Sequence, residues 1–294
     1  MEEETLPGIS LLLAAYNEAT PIGDVVRTLR QSLEEYGGEY EILVIDDGSE
    51  DGTGTIAAEA GAKVISHPAN KGYGASLKTG ARRARYPLLV FFDADGQHDP
   101  SDVAKVVEEM ARGEFDMVVG ARGAESHVSL SRAPGKKLLA WVANYLAETK
   151  IPDLNSGLRA VSRDVFFEFV HILPNQFSLT STLTLALMKA GYTVAYVPIV
   201  VRKRSGRPSN VRILRDGFKA LMLIVNTVVL FNPNKVFVPA SIVLFLVGSL
   251  YALYTIVTDF NIGSGALLTI ITSMIVFFFG IIADQLSSMR RERR

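Results

Sequence analysis

Two carboxylates one residue apart are the feature of this chain best suited to chemistry. They lie in Asp93-Ala94-Asp95-Gly96-Gln97-His98, directly after the apolar residues 86–92. That run has the length and composition of a buried strand, and in an open α/β sheet the carboxyl ends of the strands border the ligand crevice. Mg²⁺ and Mn²⁺ prefer such carboxylates together with substrate phosphates. The spacing indicates a metal–phosphate site, although with Asp99-Pro100-Ser101 it also matches a turn before a helix.

Polar loops also follow three earlier apolar segments. These loops are Ala15-Tyr16-Asn17-Glu18, Asp46-Asp47-Gly48-Ser49 and Asn70-Lys71-Gly72-Tyr73-Gly74. Each alone matches an ordinary turn or helix cap. Together they suit a nucleotide, because Tyr16 could flank a base, an aspartate could accept hydrogen bonds from it, and Lys71 could meet a phosphate.

The segments that must position these loops alternate between strand and helix. The pattern predicts strands at 9–15, 41–45, 63–66, 87–92 and 116–120, and helices at 21–36, before 61, at 74–85 and at 101–112. Such alternation is typical of βαβ units and a mostly parallel sheet. Helices are expected to dominate from 135 to 191, and 192–201 is predicted as a late strand, at an edge or antiparallel.

Composition excludes several classes of protein. The chain has 294 residues, no cysteine and a formal net charge of −1. Without cysteine it has neither a disulfide framework nor a thiolate metal site. Nucleic-acid binders usually show a strongly basic domain, so we expect no nucleic-acid partner.

The C-terminal part differs in composition from the rest. Residues 236–257 and 266–283 contain no charged residue, and each reaches the roughly 17–25 residues needed to cross a bilayer as a helix. Between them lies a polar connector at 258–265. Basic residues precede the first span and follow the second, whereas the connector has none. The positive-inside rule therefore predicts a multi-pass protein of the cell membrane with both termini, and the domain that carries the polar loops, in the cytoplasm.

These observations predict three regions, at 1–211, 212–235 and 236–294. The acidic N-terminus has no apolar core of a signal peptide, so we expect none. Residues 212–231 have the spacing of an amphipathic helix, either in the lipid headgroup plane or packed on the domain. The small residues Gly248 and Ser249 permit close helix contact, as in a homo-oligomer.

In order along the chain, the four loops and Asp153-Leu154-Asn155-Ser156-Gly157-Leu158-Arg159 resemble the motif series of family 2 glycosyltransferases with the GT-A fold. The Ser-Gly-Leu-Arg stretch and the C-terminal hairpin resemble the polyprenyl-phosphate type, which includes dolichol-phosphate mannose synthases and bactoprenol glucosyltransferases. The resemblance implies a Rossmann-like catalytic domain followed by interfacial and transmembrane helices. It also implies a nucleotide-sugar donor, a polyprenyl phosphate acceptor, Mg²⁺ or Mn²⁺, and inversion at the anomeric carbon.

The resemblance further implies roles for individual residues. Asp93, Asp95, Arg122 and Asp153 match catalytic positions, although Asp153 also matches a turn residue. The metal site would hold Asp93, Asp95 and Gln97. The nucleotide-sugar would meet Ala15, Tyr16, Glu18, Ile45, Asp46, Asp47, Lys71, Gly72 and Ala94. The acceptor phosphate would meet Arg122, then Arg132 or Lys137 (Lys136 is an alternative), and Arg202, Arg204 and Ser209. The arginines at 202–207 equally match a juxtamembrane charge attracted to anionic lipid.

Two differences from the wider family reduce the possible classes of acceptor substrate. The Gln-x-x-Arg-Trp segment of polysaccharide synthases is absent, since the one tryptophan is Trp141. Many inverting relatives carry a Glu-Asp pair whose Asp is the general base, whereas residues 176–181 here hold no carboxylate. A sugar hydroxyl needs such a base, but a phosphate monoester, with a second pKa of about 6, arrives already anionic.

The missing base thus favours a lipid-phosphate acceptor. The alternatives are a transferase that elongates a glycan at a hydroxyl group, and a catalytically silent membrane scaffold. UDP-glucose is the first expectation for the donor and GDP-mannose the second.

Overall fold

The computed structural model describes residues 7–123, 151–154, 156–176, 178–201, 225, 229 and 232–292. These residues form two compact units, one reaching to residue 201 and the other beginning at 225. The first unit contains a β-sheet covered by helices, and the second is a helical hairpin.

The first unit contains a seven-stranded sheet. Its strands are β1 (Ile9–Ala15), β2 (Tyr40–Asp46), β3 (Lys63–Ser66), β4 (Leu88–Asp93), β5 (Met117–Arg122), β6 (Arg159–Ser162) and β7 (Val194–Ile199). Their order across the sheet is β3-β2-β1-β4-β6-β5-β7. The pairs are parallel except where β6 meets β4 and β5. The predicted α/β class with a mostly parallel sheet is confirmed.

Within the described residues, six helices cover this sheet on both faces. They are α1 (Ala19–Tyr36), α2 (Thr53–Glu59), α3 (Tyr73–Arg83), α4 (Ser101–Ala111), α5 (Arg163–Phe169) and α6 (Leu179–Lys189). A hydrophobic core lies on each face of the sheet, and alternate residues of β1 point into one or the other. Leu11 and Leu13 pack with α1 and α4 on one face, while Leu12 packs with α3 on the other. Burial on both faces explains why the strands are continuous apolar runs.

The register of the central strands assembles the crevice. Ala15 of β1 pairs with Asp46, and Ala14 pairs with Asp93, so the carboxyl end of β1 lies between these two aspartates. The polar loops after β1, β2 and β4 therefore emerge at the same edge of the sheet, as the sequence predicted.

Two differences from the predicted elements concern the end of the sheet. Strand β6 lies inside the region expected to be helical, and it runs antiparallel between β4 and β5. Its four residues are too few to show a period, and they begin with the charged Arg159. Strand β7 is at the edge as predicted, but its pairing with β5 is parallel, so the antiparallel alternative was wrong.

The second unit is a hairpin of α7 (Asn234–Asp259) and α8 (Ser264–Glu292). Both helices are long and apolar enough to cross a membrane. The buried residues of the two helices are small or carry a hydroxyl group and are spaced seven apart: Ser241, Gly248 and Thr255 on α7, and Ala266, Ser273, Gly280 and Ser287 on α8. Large apolar side chains occupy the outer faces. Small residues permit close helix approach, and a seven-residue spacing keeps one stripe facing its partner. The close contact permitted by Gly248 is made within the hairpin, against Ile270.

We expect Gly280→Leu to destabilise the hairpin. A Cβ at Gly280 would lie 2.7 Å from Cβ of Phe237 on α7, so the helices would have to separate. Overpacking of this kind costs about 1–3 kcal/mol. Unfolding in mixed detergent micelles measures the change. Phe279→Leu introduces the same residue at an exposed neighbouring position and should have little effect. Equal stability of the two variants would contradict the packing described here.

Candidate active site

Asp93, the last residue of β4, is held from several sides. Its Oδ1 accepts a hydrogen bond from the Tyr73 hydroxyl at 3.1 Å, and its Oδ2 lies 3.5 Å from His98 Nε2. Burial raises the pKa of Asp93, but the hydrogen bond and charge of His98, the Tyr73 hydroxyl and the charge of Arg159 together hold it below its ordinary value. The side chain remains 31% exposed. Asp93 is therefore an ionised carboxylate with a fixed position and an open side.

Asp95 lies on the tight turn that follows. Its Oδ1 accepts a hydrogen bond from the Gln97 backbone N–H at 3.1 Å, and Gly96 has a φ of 73° that favours glycine. Ala94 between the two aspartates is buried. The turn thus places Asp93, Asp95 and Gln97 together at the end of β4.

The donor set of this turn fits a hard divalent cation. Carboxylate and amide oxygens suit Mg²⁺ and Mn²⁺. In the described part of the chain, no three His, Cys, Asp or Glu side chains gather into a metal-holding cluster. Mg²⁺ is commonly held by one or two carboxylates, with waters and substrate phosphates completing its shell. Asp93 and Asp95 match that arrangement.

Arg122 and Asp153 form a bidentate ion pair beside this turn. Arg122 Nε donates to Asp153 Oδ2 at 2.6 Å, and Nη2 donates to Oδ1 at 2.9 Å. The hydrogen bond to Asp153 is the largest effect on Arg122, and it raises the arginine's pKa. Asp153 is almost buried, whereas the Arg122 side chain is 44% exposed. The pair joins the end of β5 to the loop before β6 and leaves part of the guanidinium accessible.

Hydrogen bonds connect the loop after β1 to the loop after β2. The backbone N–H of Asn17 donates to Ser49 Oγ at 3.0 Å, and that of Glu18 donates to Thr53 Oγ1 at 2.9 Å. Tyr16 is 49% exposed at the rim. Of the predicted nucleotide contacts, Ala15 is buried at the end of β1, while Tyr16 and the side chain of Glu18 remain accessible.

Asp47 holds the loop after β3. Its carboxylate accepts hydrogen bonds from the backbone N–H groups of Lys71 at 2.9 Å and Gly72 at 2.8 Å, and it contacts His67 Nδ1 at 2.7 Å. Asp46 accepts a bond from the N–H of Ser49. The contacts of Asp47 fix the position of the loop at 70–74, one of the predicted nucleotide-binding segments.

Two other predicted nucleotide contacts differ in accessibility. Ile45 is fully buried in β2, so a nucleotide could meet only its backbone, whereas the side chain of Lys71 is exposed. The loop that carries Lys71 packs on the 173–176 segment, since Ala75 N–H donates to the Asn175 carbonyl at 3.0 Å. The loop after β3 and the segment before α6 are thus neighbours.

The structure adds one residue, Arg159, for which no role was predicted. Arg159 is fully buried and donates to the Thr180 carbonyl at 2.8 Å, to Thr184 Oγ1 at 2.9 Å and to the Ser156 carbonyl. Burial is the largest effect on Arg159 and lowers its pKa, although the acidic groups around it, including Asp153 and Asp93, act to raise it. The signal in the sequence that could have indicated a role for Arg159 is its charge at the start of a short apolar strand.

The predicted acceptor residues Arg132, Lys136, Lys137, Arg202, Arg204 and Ser209 lie outside the described residues.

Comparison with protein families identifies both parts of the chain. Residues 10–168 match the model of glycosyl transferase family 2, and residues 232–289 match the GtrB C-terminal hairpin. The first match covers the crevice, Asp93, Asp95 and the Arg122–Asp153 pair. The second covers α7 and most of α8.

Individual relatives agree with this assignment. The chain is 30% identical to a dolichyl-phosphate hexose transferase of Haloferax volcanii, over 70% of this chain and 88% of the relative. It is 34% identical to a UDP-N-acetylglucosamine–dolichyl-phosphate N-acetylglucosaminyltransferase of Methanococcus voltae, over 53% of this chain and 69% of the relative.

A solved structure supports the fold. Glucosyl-3-phosphoglycerate synthase from Mycobacterium tuberculosis, in complex with Mn²⁺, uridine diphosphate and glucosyl-3-phosphoglycerate, superposes with a TM-score of 0.60 and 22% identity. The match covers 75% of this chain and 80% of that one. The sheet with its acidic crevice therefore has the GT-A fold, and the chain belongs to glycosyl transferase family 2, with a GtrB-type hairpin at its C-terminal end.

Proposed function

We propose that this protein transfers a sugar from a nucleotide-sugar to a polyprenyl phosphate, with Mg²⁺ or Mn²⁺ bound at Asp93 and Asp95. The observation that carries the proposal is the distribution of carboxylates. Asp93 and Asp95 lie together at the end of β4, Asp153 is paired with Arg122, and residues 176–190 contain no Asp or Glu. Among the described residues, the Arg122–Asp153 pair and the segment 176–190 offer an arginine for an anion but no carboxylate set apart as a general base.

A phosphate acceptor suits such a site. Its second pKa is about 6, so at neutral pH it is already a nucleophile and needs no proton removed. A sugar hydroxyl would need a positioned base. The names of the two relatives, both dolichyl-phosphate transferases, support the same class of acceptor.

The proposed reaction is one in-line displacement. An oxygen of the acceptor phosphate forms a bond to the anomeric carbon, the bond from that carbon to the nucleoside diphosphate breaks, and the diphosphate leaves with the electron pair. The transition state is oxocarbenium-like, and the configuration inverts. A bound divalent cation supplies Lewis-acid stabilisation of the leaving diphosphate.

The protein's own residues bring the two anionic substrates together. Arg122 binds the acceptor phosphate through the part of its guanidinium that Asp153 leaves accessible. Tyr16 and the loops held by Asp47 position the nucleotide. Orientation of this kind lowers the barrier because the reacting atoms are already near one another.

The direct test is a transfer assay. Purified protein in detergent is incubated with labelled nucleotide-sugars, Mn²⁺ or Mg²⁺, and either a short polyprenyl phosphate or the matching polyprenol. We expect transfer to the phosphate and none to the alcohol, with UDP-glucose the first donor to try and GDP-mannose the second. Transfer to a glycan hydroxyl, with none to lipid phosphate, would refute the proposed acceptor.

We further propose that the connector between α7 and α8 faces away from the cytoplasm. Basic residues flank the hairpin, whereas residues 258–265 contain none, and such residues are retained on the cytoplasmic side. Because the chain has no cysteine, Asn261→Cys provides a single thiol. A membrane-impermeant maleimide should label it in intact cells. Glu34→Cys, exposed on α1, should be labelled only after permeabilisation, and the reverse pattern would invert the topology.

A further inference from the structure

Gly157 is in contact with the carboxylate of Asp93. A Cβ at Gly157 would lie closer to Oδ1, Cγ and Oδ2 of Asp93 than real Cβ atoms approach any neighbour. All three carboxylate atoms are affected, so rotation of the carboxylate group alone would not make room. The φ of Gly157 lies outside the left-handed region, and its backbone conformation is therefore open to alanine. The space, and not the conformation, requires glycine here.

We infer that Gly157 is a positioning residue for the metal site, because its missing side chain provides the space in which the Asp93 carboxylate is held. This inference deepens the proposed function and rests on it for the role of the metal. It concerns the segment before β6, which the sequence connected with the site only through a family resemblance.

The main chain at Gly157 is anchored on both sides. On one side, Arg159 donates to the carbonyl of Ser156. On the other, the backbone N–H of Gly120 donates to the carbonyl of Leu158 at 2.9 Å. These contacts tie the segment to the sheet and to α6, so it has little freedom to retreat from an added methyl group.

The carboxylate, by contrast, has an open side. Tyr73 and His98 contact its two oxygens, but the Asp93 side chain is 31% exposed. A methyl group at Gly157 would force the carboxylate to move, and the open side is where it can go, at the expense of its contacts with Tyr73 and His98. The domain should therefore still fold, with one metal ligand displaced.

A double-mutant cycle tests this inference in the full-length protein. The variants are Gly157→Ala, Asp93→Ala and the two combined, with Gly123→Ala as the matched control. Gly123 is next to the end of β5, its φ is not positive, and among the described residues no atom lies within 4 Å of an added Cβ. The readouts are the midpoint of thermal unfolding and the affinity for Mn²⁺ in the presence of UDP, measured from the electron paramagnetic resonance signal of free Mn²⁺.

We expect Gly157→Ala to weaken Mn²⁺ binding by about 10- to 100-fold, as changes around metal ligands commonly do. It should also lower the unfolding midpoint by several degrees. In the Asp93→Ala background both effects should nearly vanish, because the carboxylate that clashes is gone. Gly123→Ala should leave both readouts unchanged.

Several outcomes would overturn the inference. These are unchanged Mn²⁺ affinity in Gly157→Ala, equal losses with and without Asp93, or a wild-type protein that binds no Mn²⁺. A failure of the proposed function has a different signature, namely a wild-type protein that binds Mn²⁺ and UDP, shows the non-additive cycle, and yet transfers no sugar to polyprenyl phosphate.

Discussion

Asp95→Ala is expected to lower sugar transfer by about 10³-fold or more, which corresponds to about 4 kcal/mol of transition-state stabilisation. Asp95 lies on the turn after β4, where Gln97 N–H fixes one of its oxygens and Gly96 sets the backbone. Removing this carboxylate takes away a ligand of the proposed cation, and with it the charge stabilisation of the leaving diphosphate. The measurement is kcat with saturating donor and polyprenyl phosphate.

Two controls make the Asp95 result specific. Asp24→Asn removes an exposed carboxylate that pairs with its neighbour Arg27 on the surface of α1, and it should leave transfer within about twofold, since exposed pairs contribute little. Chelation of the wild-type protein with EDTA should reproduce the loss, and added Mn²⁺ should reverse it. Transfer that survives both chelation and Asp95→Ala would rule out the metal role.

Arg122→Ala is expected to reduce kcat/KM for the polyprenyl phosphate by about 10²–10³-fold, the range typical of removing a donor aimed at developing or bound negative charge. Arg122→Lys should recover only part of this, because lysine keeps the charge but lacks the planar fork that Asp153 orients. The affinity for UDP and Mn²⁺ should change little in either variant, since the acceptor side of the reaction is the one affected.

The ion pair allows a sharper test of Asp153. Asp153→Asn alone should lower kcat/KM for the acceptor, because the guanidinium loses its bidentate partner. In the Arg122→Ala background the same change should cost almost nothing, because Asp153 acts through Arg122. A full additional loss in that background would instead show that Asp153 contacts the substrates or the reacting atoms itself.

The apolar runs of the sequence predicted most of the sheet. The bounds of β1 and β3 agree with the prediction, and β2, β4 and β5 differ from it by one or two residues, because strands buried on both faces are continuous apolar segments with polar loops at their ends. The four-residue β6 was missed, since a segment of that length shows no period and this one starts with an arginine.

The site was predicted as a set of residues, but its contacts were not. The family resemblance selected Arg122 and Asp153 separately, and their pairing across 31 positions depends on β6 lying beside β5. The same holds for Gly157 and Asp93, whose contact depends on β6 lying beside β4. Sequence spacing contains no information on which strands are neighbours, so these contacts required the fold.

Strand β6 also has a consequence for the order in which the protein folds. Along the sheet, β5 and β7 are joined to β1–β4 only through β6 within the described residues, although β5 is synthesised well before β6. A nascent chain that ends before residue 159 can form the part of the sheet that contains β1, β2, β3 and β4. In that chain β4 is an unpaired edge strand, and β5 lacks the strand that joins it to the sheet. Because contacts between distant segments form slowly, the Asp93 environment is completed late, and the truncated sheet exposes an aggregation-prone edge until then.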